Sequence, residues 1–358
     1  MKEVLKASEK KRKTVRRIIL LVFGVLILIA ILAGLRLYKM VMKPNVVTPD
    51  KKVFSLYIPT GANIEQVKDS LYLNKLIADP ASFEWMLRHK DYAKHVKPGR
   101  YVLRNGMSNN QITNMLRGGL QTPVKVTFNN IRDTKMLAGR IAQQIEADSS
   151  SIMHILGNEE EVAKLGFNLQ TIPAMFLPNT YEFYWNTSGS KFVEKMKQEY
   201  DKFWNPERLE LAKEVGLSPV KVSILASIVD KETNKTDEMA KIAGVYLNRL
   251  RGGWLLQADP TLVFAVGDFE LKRVLNVHKE VESPYNTYKY PGLPPGPICI
   301  PSLASINAVL KPEKHNYFYF CAKDDFSGYH VFAKTLTEHN RNAERYQRAL
   351  NRIKNYKN

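Results

Sequence analysis

Glu232 is the residue whose type and setting point most directly to chemistry. It lies near the end of a segment, Ser218-Pro219 followed by Val220 to Thr233, that reads as a helix opened by a Ser cap with Pro at the first helical position. At 3.6 residues per turn, Leu225, Ile228 and Glu232 share a face, and Ile224 widens the apolar stripe that has to face a core. A carboxyl at the edge of such a stripe loses hydration when ionised, so its pKa is expected to rise. The negative end of the helix dipole acts in the same direction. An acid still protonated near neutral pH can donate to a leaving oxygen. Asp230, two residues earlier, points about 200° away around the helix and cannot pair with Glu232 on it. The same spacing also suits a structural ion pair between Glu232 and a basic residue, and spacing alone does not decide between the two.

Later stretches supply groups that could hold a substrate. Asp237–Arg251 reads as a helix ending at Gly252-Gly253, packed through Met239, Ile242, Ala243, Tyr246 and Leu250. In Leu256-Gln-Ala-Asp-Pro-Thr-Leu262, the polar Gln257, Asp259 and Thr261 interrupt apolar residues. Residues 284–301 contain six of the chain's eighteen prolines, which makes for a stiff loop rather than a disordered one. Its Tyr285, Asn286, Thr287 and Tyr288 offer ring faces beside amide and hydroxyl groups, a mixture that suits a sugar. His330, His339 and Asn340 are further candidates. No metal-ligand spacing is present, so neither a metal nor a cofactor is implied.

The rest of the chain must position these groups. It has 358 residues, 44% hydrophobic and 25% charged, enough for two or three globular domains. Two cysteines cannot form a disulfide framework or a four-thiolate zinc site; Cys299 and Cys321 either pair or stay as buried thiols. The net charge of +18 is the outlier. Residues 1–17 carry eight Lys/Arg against Glu3 and Glu9, and Ile18–Leu35 then runs eighteen residues without a charge. At 1.5 Å per residue that run covers about 27 Å, enough for a bilayer core. The expected layout is a cytoplasmic basic tail over 1–17, a single transmembrane helix over 18–36 in the cell (inner) membrane, and the remainder outside the cytoplasm. A signal peptide is the rival, but the run is long for one, and Arg36-Leu-Tyr-Lys39 follows where a small-residue cleavage site would stand. Outside the membrane, ATP and nucleic acid are not ordinary substrates. No nucleic-acid signature is present, and the excess Lys/Arg suits an anionic partner such as a wall polymer or lipid headgroups.

After a linker over 37–52, short elements alternate. Strands are expected at Val53–Ile58 and Gly99–Leu103. Helices are opened by Asn63 with Gln66, by Asp79-Pro80, and by Ser108 with Gln111, the last stopping at Gly118-Gly119. This strand–helix–helix–strand order over 53–120 resembles the LysM-type glycan-binding module; a small α/β packing unit with no ligand is the plain alternative. A connecting α/β segment over 121–175 has a strand at Val124–Phe128, a helix at Asp133–Ile145 with Met136, Leu137, Ile141 and Ile145 on one face, and a polar joint at Ala147–Ser151. Residues 176–348 then form a mixed α+β part, and 349–358 a polar tail. The fold class expected is α+β.

Several motifs in this order resemble the endolytic murein transglycosylases, the YceG-like family. They are Phe176-Leu-Pro-Asn-Thr-Tyr-Glu182, Leu225-Ala-Ser-Ile-Val-Asp-Lys-Glu-Thr233 and Ala243-Gly-Val-Tyr-Leu-Asn-Arg-Leu250, then Leu256-Gln-Ala-Asp-Pro-Thr261, Tyr285-Asn-Thr-Tyr288, Gly292 to Ile298, Gly328-Tyr-His-Val-Phe332 and Glu338-His-Asn340. The resemblance implies a membrane-anchored enzyme that cuts glycan strands internally at the MurNAc–GlcNAc β-1,4 bond, with Glu232 as its catalytic acid. Peptidoglycan strands are the implied partner, with peptidoglycan synthases as prospective neighbours, and strand termination is the implied role. A non-catalytic glycan-binding scaffold and a hydrolytic muramidase are the competing readings. Asp230 stands where many relatives carry Glu, and Asn179 where Asp is common, so an acidic role for position 179 does not carry over.

Overall fold

Local capping chemistry starts most of the helices. Asn63 and Ser108 each accept a backbone N–H three residues on, while Gln66 and Gln111 reach back to the cap N–H. Asp79 and Ser218 cap helices that open on proline, whose missing N–H would have no partner there anyway. The computed structural model describes residues 1–271 and 274–355.

One compact unit holds residues 1–124 and 184–186. It starts with helix α1 (Lys2–Met42), in which Lys10–Met42 is long and apolar enough to cross a membrane. Strand β1 (Phe54–Ile58), helices α2 (Ile64–Leu73) and α3 (Pro80–His89), strand β2 (Gly99–Leu103) and helix α4 (Asn109–Gly118) follow. β1 and β2 pair antiparallel from Phe54 opposite Leu103 to Ile58 opposite Gly99, with α2 and α3 between them in sequence. Leu56, Ile58, Tyr101 and Leu103 point from this pair into a core shared with Leu71, Phe83 and Leu116. Much of 37–52, expected as a linker, is built into the unit. α1 continues to Met42, and Asn45 is buried. The Asn45 amide donates to Asn109 Oδ1 (2.7 Å) and Asp79 O (3.0 Å) and accepts from Asp79 N (2.7 Å). Such a fully partnered amide has no need of solvent.

The second unit holds residues 125–183 and 187–358. β3 (Val124–Phe128) and β4 (Asn179–Phe183) form a two-stranded sheet. Helices α5 (Thr134–Ala142), α6 (Ser149–Leu156) and α7 (Glu159–Lys164) come between them in sequence. The polar stretch Ala147–Ser151, expected as a joint, instead opens α6: Asp148 accepts from Ser151 N at 2.7 Å. Met136, expected on the buried face of α5, is exposed, whereas Leu137 and Ile141 are buried. Helices α8 (Gly189–Phe203) and α9 (Pro206–Val215) lead to α10 (Pro219–Glu232).

α10 is buried from Val222 to Val229 without interruption, rather than along one stripe. It is packed by α9, by α11 (Met239–Arg251), by α12 (Asp259–Val266) and by α13 (Leu303–Leu310). Ser223, Ala226 and Ser227 make this enclosure possible, because small side chains admit neighbours on every side. The Ser227 hydroxyl donates to Ile224 O (2.7 Å), and the Ser223 hydroxyl to Pro219 O (3.2 Å). A hairpin of β5 (Tyr319–Ala322) and β6 (His330–Ala333) follows, and then α14 (Leu336–Asn355). The segment 349–358, expected as a polar tail, is therefore helical to Asn355; residues 356–358 lie outside the described residues. The fold is mixed α+β with an N-terminal apolar helix.

A Cβ on Gly244 in α11 would lie 2.5 Å from Glu313 O and 2.7 Å from His315 Nε2. Gly244→Ala should therefore lower stability by about 1–3 kcal/mol, outweighing the roughly 1 kcal/mol that Ala favours in a helix. Denaturant unfolding of the detergent-solubilised chain measures it, and a variant as stable as the parent would contradict the close approach of 313–315 to α11.

Candidate active site

Glu232 ends α10 with its carboxyl against α11. The Tyr246 hydroxyl donates to Glu232 Oε1 at 2.5 Å. Arg249, one turn further along α11, is a buried cation. Its guanidinium donates to Phe318 O (2.6 Å) and Leu256 O (2.7 Å), so α11, the residue before β5 and the chain before α12 are held around one charge. Asn248 adds bonds to His315 O (2.9 Å) and Tyr317 O (3.0 Å). Burial pushes the Glu232 carboxyl up from 4.5 to about 7. The Tyr246 hydrogen bond opposes the rise, the charge of Asp259 adds to it, and Arg249 opposes it. Burial also raises the Tyr246 phenol and lowers the Arg249 guanidinium.

Among the described residues, three cavities meet at Glu232. One of about 640 Å³ includes Asn130, Arg132, Lys231, Asp259 and Phe264 in its wall. Another, of about 430 Å³, includes Tyr246, Gln257, Asp259, Tyr288 and His330. A smaller one of about 380 Å³ lies against Lys231, Lys235 and residues 326–328. Glu232 and Asp259 line both of the larger two, so the acid stands within a cleft that continues past it.

The residues singled out in the sequence separate into two groups. Gln257, Asp259, Tyr288, His330 and His339 line the 430 Å³ cavity with Glu232. The Tyr288 hydroxyl donates to Asp259 Oδ1 at 2.5 Å. His330 Nδ1 and its backbone N–H both meet the buried Glu238 carboxylate (2.7 and 2.8 Å). His339 stacks on Tyr319, and burial lowers its pKa. Thr261, Asn286 and Thr287 are instead buried scaffold. Thr261 and Thr287 share a 2.8 Å hydroxyl contact, and Asn286 donates to Lys279 O and Val281 O. Tyr285 packs on Phe264 with ring centroids 4.6 Å apart and is not in either cavity wall; Asn340 is exposed on α14, also away from them. Asp230 accepts from the Ser302 hydroxyl and ties α10 to the start of α13. Asn179 is exposed, its side chain accepting from Thr180 N. Cys299 and Cys321 are free thiols: burial lifts Cys299 to about 12 and raises Cys321. Among the described residues, no three His, Cys, Asp or Glu side chains gather as metal ligands do.

Sequence reasoning missed Arg249 and Glu238, and took Tyr246 only as packing. Tyr246 and Arg249 stand three apart on one helix face, a spacing that was available as a signal. What they face was not, because Glu232, Phe318 and Leu256 come from other elements.

The sequence matches the YceG-like family over residues 56–345. The chain belongs to that family. It is similar to an endolytic murein transglycosylase of Bacillus subtilis, with 30% identity over 88% of this chain and 91% of the relative. It is also similar to one of Streptococcus pneumoniae, with 27% identity over 84% of this chain but only 60% of the relative's length. Among solved structures, a YceG-like protein of Listeria monocytogenes aligns with a TM-score of 0.52 and 28% identity, over 81% of this chain and 99% of that one.

Two predictions follow from the surroundings of the carboxyl. Because the Tyr246 bond favours the ionised form, Tyr246→Phe should move the titration of Glu232 upward. Asp259→Asn should move it downward, each by about half a pH unit or more. The alkaline limb of a pH–activity profile reads both, and shifts in the same direction would contradict the balance described. A folded-state pKa raised from 4.5 to about 7 means that the proton on Glu232 stabilises the fold fully below pH 4.5. That contribution is lost as the pH rises through about 7. Glu232→Gln should therefore be more stable than the parent at pH 8 by about 1–3 kcal/mol, since one side of the carboxyl faces the cavities, and equal to it at pH 4. Unfolding at the two pH values tests it; an equal offset at both would contradict it.

Proposed function

We propose that this chain is a membrane-anchored lytic transglycosylase that cuts inside peptidoglycan strands at the MurNAc–GlcNAc β-1,4 bond and leaves 1,6-anhydroMurNAc ends. The observation that carries the reading is Glu232, held near a pKa of 7 in the wall of a cleft with cavities on both sides. A strand lying through such a cleft presents an internal bond to the acid. The names of the relatives support the same substrate class.

In this reading Glu232 gives its proton to the glycosidic oxygen, and the C1–O bond breaks with the electron pair leaving on that oxygen. The Glu232 carboxylate then takes the proton of the sugar's own C6 hydroxyl as that oxygen bonds to C1. The acid is restored and no water is consumed. Intramolecular attack raises effective concentration enough to stand in for an enzyme nucleophile. Tyr246 and Arg249 stabilise the carboxylate while it lacks its proton. Asp259, held by Tyr288, lends negative charge where C1 becomes positive. Gln257, His330 and His339 line the space for the sugar beyond.

The apolar helix α1 is read as the anchor, with its basic end in the cytoplasm and the catalytic part outside. The β1–α2–α3–β2 arrangement is read as a LysM-like module that holds a glycan strand. Peptidoglycan synthases are the proposed neighbours, and strand termination the proposed role.

Asp259 also supports a second reading. A carboxylate in the same cavity walls as Glu232 could activate water, which would make the enzyme a hydrolytic muramidase. Mass spectrometry of peptidoglycan incubated with the detergent-solubilised chain separates the outcomes. Anhydro-ended fragments are expected, with at least a thousandfold loss in Glu232→Gln, on the order of the contribution of a general acid. Reducing-end products would establish the muramidase, and bound but intact strands a non-catalytic scaffold.

A further inference from the structure

The two larger cavities beside Glu232 differ in chemistry. The 640 Å³ cavity combines an apolar wall, including Met136, Val263 and Phe264, with two exposed cations among the described residues, Arg132 and Lys231. The 430 Å³ cavity has aromatic and hydroxyl-bearing walls, and its cation, Arg249, is buried and bonded to backbone carbonyls.

The cations of the larger cavity are held in place but not neutralised. The Arg132 guanidinium lies 4.1 Å from the centroid of Phe269. Its Nε contacts Asp133 Oδ2 at 3.2 Å, in an exposed pair that is worth little in water. The other oxygen of Asp133 is already occupied in capping α5. Lys231 directs one N–H to Asn130 Oδ1 at 3.3 Å, which leaves two donors. The loop carrying Asn130 and Arg132 is fixed to the rest of the site, because Ile131 O accepts from Ile300 N (2.9 Å) and Ile298 N donates to Ser227 on α10 (3.0 Å). Cations over an apolar wall match a carboxylate carried on a short, partly apolar branch.

We infer that the Arg132–Lys231 cavity is the subsite for the acid-bearing branch of the strand, and that the neutral sugar occupies the cavity of Tyr288 and His330. This rests on the proposed substrate class. It sets the direction of the strand: the lactyl-bearing sugar, whose C1 reacts, lies on the Arg132 side of Glu232. The carboxylate has two sources: the lactyl group, where no peptide is attached, or the peptide, which otherwise holds the lactyl group as a neutral amide.

Binding to the detergent-solubilised Glu232→Gln chain tests this with three probes of equal length: peptide-bearing murein strands, peptide-stripped strands with free lactyl carboxylates, and uncharged chitooligosaccharide. Adding Arg132→Ala and Lys231→Ala should weaken binding of a carboxylate-bearing probe about tenfold or more and reduce its salt dependence, while chitooligosaccharide binding changes less than about twofold. Loss with the peptide-stripped probe alone identifies the lactyl carboxylate, loss with the peptide-bearing probe alone identifies a carboxylate of the peptide, and loss with both shows that the subsite takes either. Arg132→Lys should restore part of the loss. Unchanged binding of both murein probes, or an equal loss with all three, overturns the subsite. The lyase reading fails separately, if the unsubstituted chain yields no anhydro ends. Both side chains are exposed, so the fold should tolerate their removal.

Discussion

A carboxyl partly withdrawn from water at the end of an enclosed helix is the constraint on which the rest of this structure depends. Glu232 lies among groups that act in opposite senses. Burial and Asp259 favour its protonated form, and the Tyr246 hydroxyl and Arg249 favour the ionised one. Burial outweighs the groups that oppose it, and they hold the result near neutrality, where an acid can both give and retake a proton. A stronger anion-stabilising set would leave a permanent carboxylate, and a drier site would leave a permanent acid.

Much of the second unit serves to keep these groups fixed. α10 cannot rotate, because it is packed on all sides and tied through Asp230 to Ser302 and through Ser227 to the proline-rich loop. α11 carries both Tyr246 and Arg249, and Arg249 uses its donors on the backbone of two other segments. The charge that steadies Glu232 is thus also a structural tie, so a change at Arg249 disturbs position and electrostatics together. Thr261, Asn286 and Thr287 do similar work beneath Asp259 and Tyr288: they join the start of α12, which carries Asp259, to the loop that carries Tyr288.

What could be read from the sequence was mainly what local chemistry decides. The caps at Asn63, Asp79, Ser108 and Ser218 depend on residues three apart, and each is formed. The opposed directions of Asp230 and Glu232 follow from helical geometry alone. Partners supplied by distant segments were not legible. Asn45 looked like linker because its partners, Asp79 and Asn109, lie far along the chain. Thr261 and Asn286 looked like sugar-binding groups because a polar residue in a turn has the same composition whether it faces a ligand or its own backbone. Met136 follows the helical period of α5 but faces the cavity beside Glu232, an open space that no periodicity encodes.

The most direct measurement of the central claim is an isotope-edited titration of the Glu232 side-chain carboxyl in the full-length protein, with Glu232→Gln used to assign the signal. Half-protonation near pH 7 is the predicted result. A carboxyl already fully ionised at pH 6, like that of a surface glutamate, would contradict the account.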